Sequence, residues 1–236
     1  MEHDYSDTTV IIPTLNEEDN IGKLLNYISN TYRGIKVIVA DDGSTDDTKN
    51  TVLKFSKDNT NIRFLDRANS AIHGITASVL DAAKLVDPKN IKNILVIDGD
   101  FQHPPKKIKD IIYALQKADI VIAIRKKITG SWGAHRKAMS KVATFLGKTR
   151  LKISGLQCND PLSGFFGIKA NLFRAIAKKH SKKFEMKGYK ILFDLLKYLP
   201  SESNLAQVAY TFNIRNKGES KIKLIHMWYF LRSLFR

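Results

Sequence analysis

Short apolar runs alternate with amphipathic stretches along the first half of the chain. Buried strands are predicted by five β-branched runs, at residues 9–12, 35–40, 62–65, 94–97 and 120–124. Apolar positions at helical spacing predict helices over 17–32, 46–55 and 70–86, with a fourth opened by Pro104 and Pro105. Strands that are apolar on both faces and alternate with helices indicate an α/β fold, in which helices flank a mostly parallel sheet.

The pattern loosens after residue 130. Two strands are predicted there at 165–168 and 206–214, and three helices at 134–148, 172–179 and 187–198. Residues 221–236 combine apolar and aromatic positions with flanking Lys and Arg, which predicts a basic amphipathic helix. Such a helix suits an anionic membrane surface and equally suits packing on the domain core. We therefore expect one domain over residues 1–220 and a C-terminal segment over 221–236.

Composition excludes several classes of protein. Of the 236 residues, 43% are hydrophobic and 26% are charged, which is typical of a globular chain and not of a disordered or fibrous one. Cys158 is the single cysteine, so no intrachain disulfide forms and a reducing compartment is indicated. Because no apolar run reaches roughly 18 residues and the N-terminus is polar, we expect neither a membrane-spanning helix nor a secretory signal.

The net charge of +16 is unevenly distributed along the chain. Residues 1–100 carry 11 Lys and Arg against 16 Asp and Glu, whereas residues 101–236 carry 28 against 7. The basic part would face the phosphates of a nucleotide, a nucleic acid or an anionic membrane. Charge alone leaves these three partners open.

Polar side chains follow four of the predicted strands. They are Asn16 and Glu17 after the first strand, Asp41 after the second, Asp98 and Asp100 after the fourth, and Arg125 after the fifth. Ligands of parallel α/β folds bind beyond the carboxyl ends of the strands. The four groups are therefore expected to meet at one rim of the sheet.

Asp98 and Asp100 are the strongest candidates for a metal site. Two carboxylates one residue apart at a strand end repel each other unless a cation lies near them. A Mg²⁺ or Mn²⁺ ion would relieve that repulsion and bind a diphosphate, although a solvated acidic turn is the competing interpretation. Asp41 similarly fits either a hydrogen bond to a base or ribose, or a turn in which Ser44 or Thr45 caps the next helix.

Three motifs, in chain order, add a resemblance to a known family. They are VIIPTLNEE from Val10, VIVADDGSTDDT from Val37 and VIDGDFQHPP from Val96. Together they resemble the family 2 glycosyltransferases, which have the GT-A nucleotide-sugar-binding fold. The later segments AIRKK, DPLSGFFGIK, GYK and FNIRNKGESK resemble the branch of dolichyl-phosphate mannosyltransferases and related polyprenyl-phosphate sugar transferases. The resemblance extends from about Thr9 to Lys221.

The resemblance implies roles for individual residues. Around the nucleotide base and ribose it implies Pro13, Leu15, Glu17, Val39 and Asp41. For the divalent metal and the donor diphosphate it implies Asp98, Asp100 and Gln102, beside the backbone of Gly99. For the donor and acceptor phosphates it implies Arg125, Lys190, Arg215 and Lys221, with Asp100, Arg215 and Lys221 as the catalytic residues.

Two positions depart from the family pattern. Leu15 stands where the family often has an aromatic residue, which would weaken stacking on the base. Gly99 stands where the family often has alanine, and we expect this difference to be tolerated.

The reaction that the resemblance implies is transfer of mannose from GDP-mannose to dolichyl or another polyprenyl phosphate. The acceptor phosphate is largely ionised near neutral pH because its second pKa is about 6. The enzyme would then supply alignment and charge neutralisation more than a general base. A single displacement inverts the anomeric centre, so an α-linked donor gives a β-linked product. The implied location is peripheral, at the cytoplasmic face of a membrane.

Other interpretations stay open. UDP-glucose or another nucleotide sugar, with a lipid or saccharide acceptor, fits the same residues. The basic half also suits a nucleic-acid-binding protein, but interleaved stacking aromatics are not apparent and an acidic rim would repel phosphates, so no nucleic acid partner is expected. A nucleotidyltransferase would carry a Gly-rich loop after the first strand, where this chain has PTLNE. The oligomeric state is open.

A few remaining polar residues have two interpretations each. The pairs Asp160-Pro161 and Ser163-Gly164 would shape an acceptor loop or form a purely structural turn. His103 and His135 would contribute polarity to the site or lie on the surface.

Overall fold

The structure, a computed structural model, describes residues 4–128, 134–213 and 224–236. Within these residues the strands are β1 (Thr8–Thr14), β2 (Lys36–Asp41), β3 (Ile62–Asp66), β4 (Asn93–Val96), β5 (Ile120–Ile128), β6 (Phe166–Lys169) and β7 (Leu205–Phe212). The helices are α1 (Glu18–Thr31), α2 (Thr48–Asp58), α3 (Ile75–Lys84), α4 (Ile108–Leu115), α5 (Ala134–Ile153), α6 (Ala170–His180), α7 (Ile191–Lys197) and α8 (Leu224–Phe235).

All seven strands form one sheet in the order β3-β2-β1-β4-β6-β5-β7. The pairs β1–β2, β2–β3, β1–β4 and β5–β7 are parallel, and β6 runs antiparallel to both of its neighbours. Parallel neighbours need crossover connections, which the intervening helices provide. The predicted α/β fold with a mostly parallel, helix-flanked sheet is therefore confirmed.

The central strands of the sheet are buried on both faces, which explains their apolar sequences. Ile11 belongs to one core cluster, whereas its neighbours Val10 and Ile12 belong to the other, and none of the three is exposed. Successive side chains of a strand point to opposite faces, so both faces of β1 need apolar residues.

The observed bounds of most elements differ by a few residues from those that the sequence predicts, and two of the larger differences have a visible cause. β5 continues to Ile128 instead of ending near residue 124, because β7 pairs with it as far as Phe212, with an irregularity between Arg125 and Lys127. α3 begins at Ile75 instead of residue 70. The preceding loop is held in another shape, since Nη2 of the buried Arg67 donates a hydrogen bond to the carbonyl of Ile72 at 2.7 Å.

The C-terminal helix α8 has one face in the core. Phe230 and Leu234 are buried in the same cluster as β1 and β4 residues. The buried Lys197 Nζ lies 2.9 Å from Oδ1 of Asp194 and donates to the Ser233 carbonyl at 2.5 Å, while the Ser233 hydroxyl donates to Asp194 at 2.6 Å. The described part of the 221–236 segment therefore packs on the domain. No helix in the three described ranges has the length and apolarity needed to span a bilayer.

Candidate functional site

The carboxyl ends of β1 and β2 meet around the carboxylate of Asp41. Thr14 Oγ1 donates to Asp41 Oδ1 at 3.1 Å, and the Ser44 hydroxyl and backbone N–H donate to the same carboxylate at 2.5 and 2.9 Å. The prediction that Ser44 or Thr45 caps the next helix is therefore wrong, because α2 begins only at Thr48 and the Ser44 hydroxyl binds Asp41. At the start of α2 the backbone N–H of Thr48 instead donates to Asp46, at 3.0 Å.

Asn16 links the same two loops. Its side-chain carbonyl accepts the backbone N–H of Thr45 at 2.8 Å, and its own N–H donates to Ser44 Oγ at 2.8 Å. Asn16 has a φ of 51°, a left-handed conformation that Asn tolerates better than most residues. Leu15, next to it, is exposed at the rim.

The other residues implied for the nucleotide are buried. Pro13 lies within β1, and Glu17 accepts a hydrogen bond from Asn20 Nδ2 at 3.1 Å. Val39 is fully buried in the core two residues before the end of β2. Its side chain therefore has no exposed surface that could contact a nucleotide, which is the role that the resemblance implies for it.

The loop after β4 carries the two candidate metal carboxylates. Asp100 Oδ1 accepts the backbone N–H of Gln102 at 3.0 Å, across Phe101, whose φ of 59° is left-handed. Such a conformation is uncommon for a bulky residue and is concentrated at functional sites. Gln102 also binds the end of β7, since its Nε2 donates to the Asn213 carbonyl at 3.3 Å and Asn213 N–H donates back at 3.0 Å.

This loop packs directly against the end of β1. A methyl carbon built on Gly99 would lie 3.3 Å from Cγ2 of Thr14 and 3.6 Å from Cγ of Glu17. Because Thr14 also holds Asp41, the loops after β1, β2 and β4 form one continuous rim. The tight approach at Gly99 is one that a small shift of Thr14 relieves.

The Asp98 carboxylate is held from two sides. Nε2 of His103 lies 3.0 Å from its Oδ2, and a methyl carbon built on Gly164 would lie only 2.7 Å from the same oxygen. Gly164 comes from the loop before β6, so a residue far away in sequence sets the space around this carboxylate. His103 is buried, which rules out its interpretation as a surface histidine.

Arg125 forms a bidentate salt bridge with Asp160 of that same loop. Nε and Nη2 lie 2.7 and 2.6 Å from the carboxylate oxygens, and both residues are mostly buried. Burial raises the pKa of Asp160, but the hydrogen bonds and charge of Arg125 outweigh it and hold that pKa below its ordinary value. The Ser163 hydroxyl donates to the Ala123 carbonyl at 2.7 Å, which fixes the loop a second time.

The remaining cationic residues implied for phosphates have different positions. Lys190 Nζ donates to the Leu162 carbonyl at 2.6 Å and lies 4.5 Å from the centre of the Tyr189 ring. It is therefore beside the Asp160 loop. Arg215 and Lys221 lie outside the described residues, as does the side chain of His135.

The donor chemistry of the loop after β4 fits a hard divalent cation. Asp98, Asp100 and Gln102 offer carboxylate and amide oxygens, which Mg²⁺ and Mn²⁺ prefer, and a diphosphate and water would complete the coordination. No group of three or more His, Cys, Asp or Glu side chains able to hold a metal occurs in the described part of the chain. The fit thus depends on a mixed set of protein and substrate oxygens.

The sequence could not predict three of the contacts made by the site residues. Asp160 and Gly164 belong to a loop that the sequence left between an acceptor role and a structural turn. Tyr210 on β7, whose hydroxyl lies 2.6 Å from Nδ1 of His103, belongs to none of the motifs. Each is far in sequence from the residue that it contacts, so only the three-dimensional arrangement pairs them.

Comparison with known proteins identifies the family. The family model described as "Glycosyl transferase family 2" matches residues 9–177, more than two thirds of the chain, so the protein belongs to that family. The fold is accordingly of the GT-A type. The structure of glucosyl-3-phosphoglycerate synthase from Mycobacterium tuberculosis with Mn²⁺, UDP and phosphoglyceric acid has a TM-score of 0.65 and 19% identity. It covers 97% of this chain and 77% of that one.

The relatives found by sequence similarity have names that specify a reaction. Dolichol-phosphate mannosyltransferase from Pyrococcus furiosus is 32% identical over 97% of this chain, which spans 62% of that protein's length. Dolichol-phosphate mannosyltransferase from Mycosarcoma maydis is 28% identical over 96% of this chain and 77% of its own length. The chain thus spans less than two thirds of the Pyrococcus protein.

Proposed function

We propose that this protein is a metal-dependent, inverting glycosyltransferase that moves mannose from GDP-mannose to dolichyl or another polyprenyl phosphate. The observation that carries the proposal is the similarity over almost the whole chain to two dolichol-phosphate mannosyltransferases. The continuous rim formed by the loops after β1, β2 and β4 supports it, because that is where a nucleotide sugar binds in a parallel α/β fold.

We assign the donor to this rim. Leu15, Glu17 and Asp41 face the nucleoside, and Asp98, Asp100 and Gln102 hold the metal and the diphosphate. When bound, Mg²⁺ or Mn²⁺ supplies positive charge that stabilises the diphosphate as it leaves, and the Mn²⁺-bound structure of a GT-A neighbour supports this cofactor.

We assign the acceptor phosphate to Lys190, Arg215 and Lys221. Their charges neutralise the phosphate and align it with the anomeric carbon. Arg125 serves this acceptor side through Asp160, whose loop it holds in place. No general base is required, since the ionised phosphate oxygen is already nucleophilic.

The reaction is tested by incubating the protein with Mg²⁺ or Mn²⁺, a polyprenyl phosphate and an equimolar pool of GDP-mannose, UDP-glucose and UDP-galactose. Mass spectrometry of the lipid fraction should find a mannosyl phospholipid, which disappears with EDTA and with D100N. A lipid that carries glucose would replace the donor assignment. No glycolipid from any donor, with a folded protein, would overturn the proposed activity.

We further propose that α5 and α8 rest on the cytoplasmic face of a membrane. α5 packs against α8, and both expose large apolar side chains at helical spacing. They are Val142, Phe145 and Ile153 on α5, and Ile225, Trp228 and Phe235 on α8. Exposed Lys141, Lys148 and Lys152 on α5 add positive charge that suits anionic lipid.

Sedimentation with vesicles tests the membrane proposal. The protein should bind vesicles of anionic phospholipid more strongly than zwitterionic ones. F145S combined with W228S should weaken binding at least about tenfold, because two large apolar contacts are lost. Y113S, which removes an exposed aromatic residue from α4, is the control. Equal binding by all three proteins would refute the proposed surface.

A further inference from the structure

The imidazole of His103 joins two side chains at the rim. Its Nε2 lies 3.0 Å from Oδ2 of Asp98, and its Nδ1 lies 2.6 Å from the hydroxyl of Tyr210 on β7. The ring is 2% exposed and packs against Phe165 and Phe212, with centroid distances of 5.6 and 5.3 Å. Both ring nitrogens are therefore engaged and the ring plane is fixed by its neighbours.

With a neutral imidazole, the donors and acceptors in this series of hydrogen bonds have one order. An ionised carboxylate can only accept, so His103 Nε2 carries the hydrogen that is donated to Asp98. In the neutral ring Nδ1 is then an acceptor, and the Tyr210 hydroxyl donates to it. The hydrogen bonds thus run from the Tyr210 hydroxyl through the His103 ring to the carboxylate of Asp98, which is one of the three candidate metal ligands.

The carboxylate of Asp98 also has little free space on the side of Gly164. The Cα of Gly164 closes the carboxylate from another side, since a methyl group there would lie 2.7 Å from Oδ2 and 3.1 Å from Oδ1. A carboxylate confined between an N–H donor and a backbone carbon has little freedom to rotate. Side chains that orient metal ligands in this way commonly change metal affinity about 10- to 100-fold.

We propose that His103 and Tyr210 are positioning residues, which fix the Asp98 carboxylate in the orientation that binds the metal-diphosphate unit of the donor. The inference rests on the proposed function in one respect, because it takes Asp98 as a metal ligand. It adds two residues from different elements, the loop after β4 and strand β7, to the machinery of the rim.

The competing explanation is that His103 only fills space among aromatic rings. If His103 positions Asp98, a substitution must keep the N–H donor to leave metal binding intact. If His103 only fills space, keeping its volume is enough. H103Q keeps an N–H donor near the position of the imidazole Nε2, whereas H103L fills similar volume without any donor. Y210F removes a single hydroxyl and keeps the ring that packs against Phe165.

The test measures Mn²⁺ binding by electron paramagnetic resonance in the presence of GDP, and separately UDP, together with KM and kcat. We expect H103L to raise the Mn²⁺ dissociation constant about 10- to 100-fold and H103Q to stay within about threefold of wild type. Y210F should shift it about 3- to 10-fold in the same direction. In transfer assays H103L should be partly rescued by excess Mn²⁺, which a packing defect would not allow.

H180L is the matched control. His180, at the end of α6, also packs on a tyrosine, but its ring stacks on Tyr198 at 4.3 Å and not on a residue of the loop after β4. The Mn²⁺ dissociation constant of the H180L variant should equal that of wild type. Thermal melting of every variant checks that the fold is kept.

The outcomes separate this inference from the proposed function. Unchanged Mn²⁺ affinity in H103L, or equal losses in H103L and H103Q, overturns the positioning role even if wild type makes mannosyl lipid. Weakened binding in H103L with rescue by H103Q supports the role even if wild type transfers no mannose. If wild type binds no Mn²⁺ with either nucleotide, the inference is overturned.

Discussion

Arg125 and Asp160 face each other in a bidentate salt bridge, with nitrogen–oxygen distances of 2.7 and 2.6 Å. The pair joins β5 to the loop before β6, and its burial means that each charge depends on the other. Arg125 was expected to neutralise a substrate phosphate directly. That role stays a prediction, while the structure gives the guanidinium a definite protein partner.

Removal of one member of this pair should destabilise the fold. D160A leaves the guanidinium buried without its partner, and we expect the free energy of unfolding to fall by about 3–5 kcal/mol. Urea denaturation followed by circular dichroism measures this change. The double variant R125M/D160L should recover part of the loss, because neither charge then remains. If the double variant is as unstable as the sum of its singles, the pairing argument is wrong.

The same pair should make stability depend on acid. The pKa of Asp160 lies below its ordinary value, because the hydrogen bonds and charge of Arg125 outweigh the effect of burial. The stabilisation of the fold by the ionised Asp160 is therefore fully present above the pKa of about 3.9 in the unfolded chain. It is lost as the pH falls through the lower pKa in the folded protein. The unfolding free energy of D160N should fall less steeply than that of wild type below about pH 4. Parallel curves would contradict the assignment.

A side chain at Gly164 should displace the carboxylate of Asp98. In G164A the new methyl would lie 2.7 Å from Oδ2 of Asp98, so the carboxylate must move. We expect transfer activity to fall at least about tenfold and Mn²⁺ affinity to fall with it, because the ligand is displaced. G99A is the comparison, since its methyl meets Thr14 at 3.3 Å and needs only a small shift. G99A should lose less than about threefold, and equal losses in both variants would contradict the argument.

Cys158 should be unreactive in the folded protein. Burial raises the pKa of its thiol to about 12, so almost none of it is the nucleophilic thiolate near neutral pH. Reaction with Ellman's reagent at pH 8 should be at least about 100-fold slower than in denaturant. The absorbance of the released thiolate reports the rate. Rapid labelling of the native protein would show that the thiol is accessible.

The anchoring of α8 should depend on Ser233. Its hydroxyl donates to Asp194 at 2.6 Å and accepts from the buried Lys197 Nζ at 3.1 Å. S233A leaves two charged groups short of a partner, so we expect a loss of about 1–3 kcal/mol in the free energy of unfolding. S154A is the control, because Ser154 is exposed and its hydroxyl accepts one hydrogen bond, from Arg150 at 2.8 Å; it should change stability by less than about 0.5 kcal/mol. Equal effects would refute the role of Ser233.

The candidate site was only partly accessible to sequence reasoning. Asp41, Asp98 and Asp100 could be singled out because they directly follow buried strands, and parallel strands bring their ends together. Val39 looked equally well placed by its motif, yet it faces the core. A motif gives the position of a residue in the chain, whereas the direction of its side chain depends on which face of the sheet the packing covers.

What the amino-acid sequence determined by itself is the succession of elements and the chemistry at the strand ends. Hydrophobic periodicity is a local property, so a run such as residues 9–12 predicts a buried strand without knowledge of its partners. Tertiary structure alone decided that Arg125 pairs with Asp160 and that His103 lies between Asp98 and Tyr210. These contacts join residues as far as 107 positions apart in the chain, and no local pattern encodes which distant side chains a fold brings together.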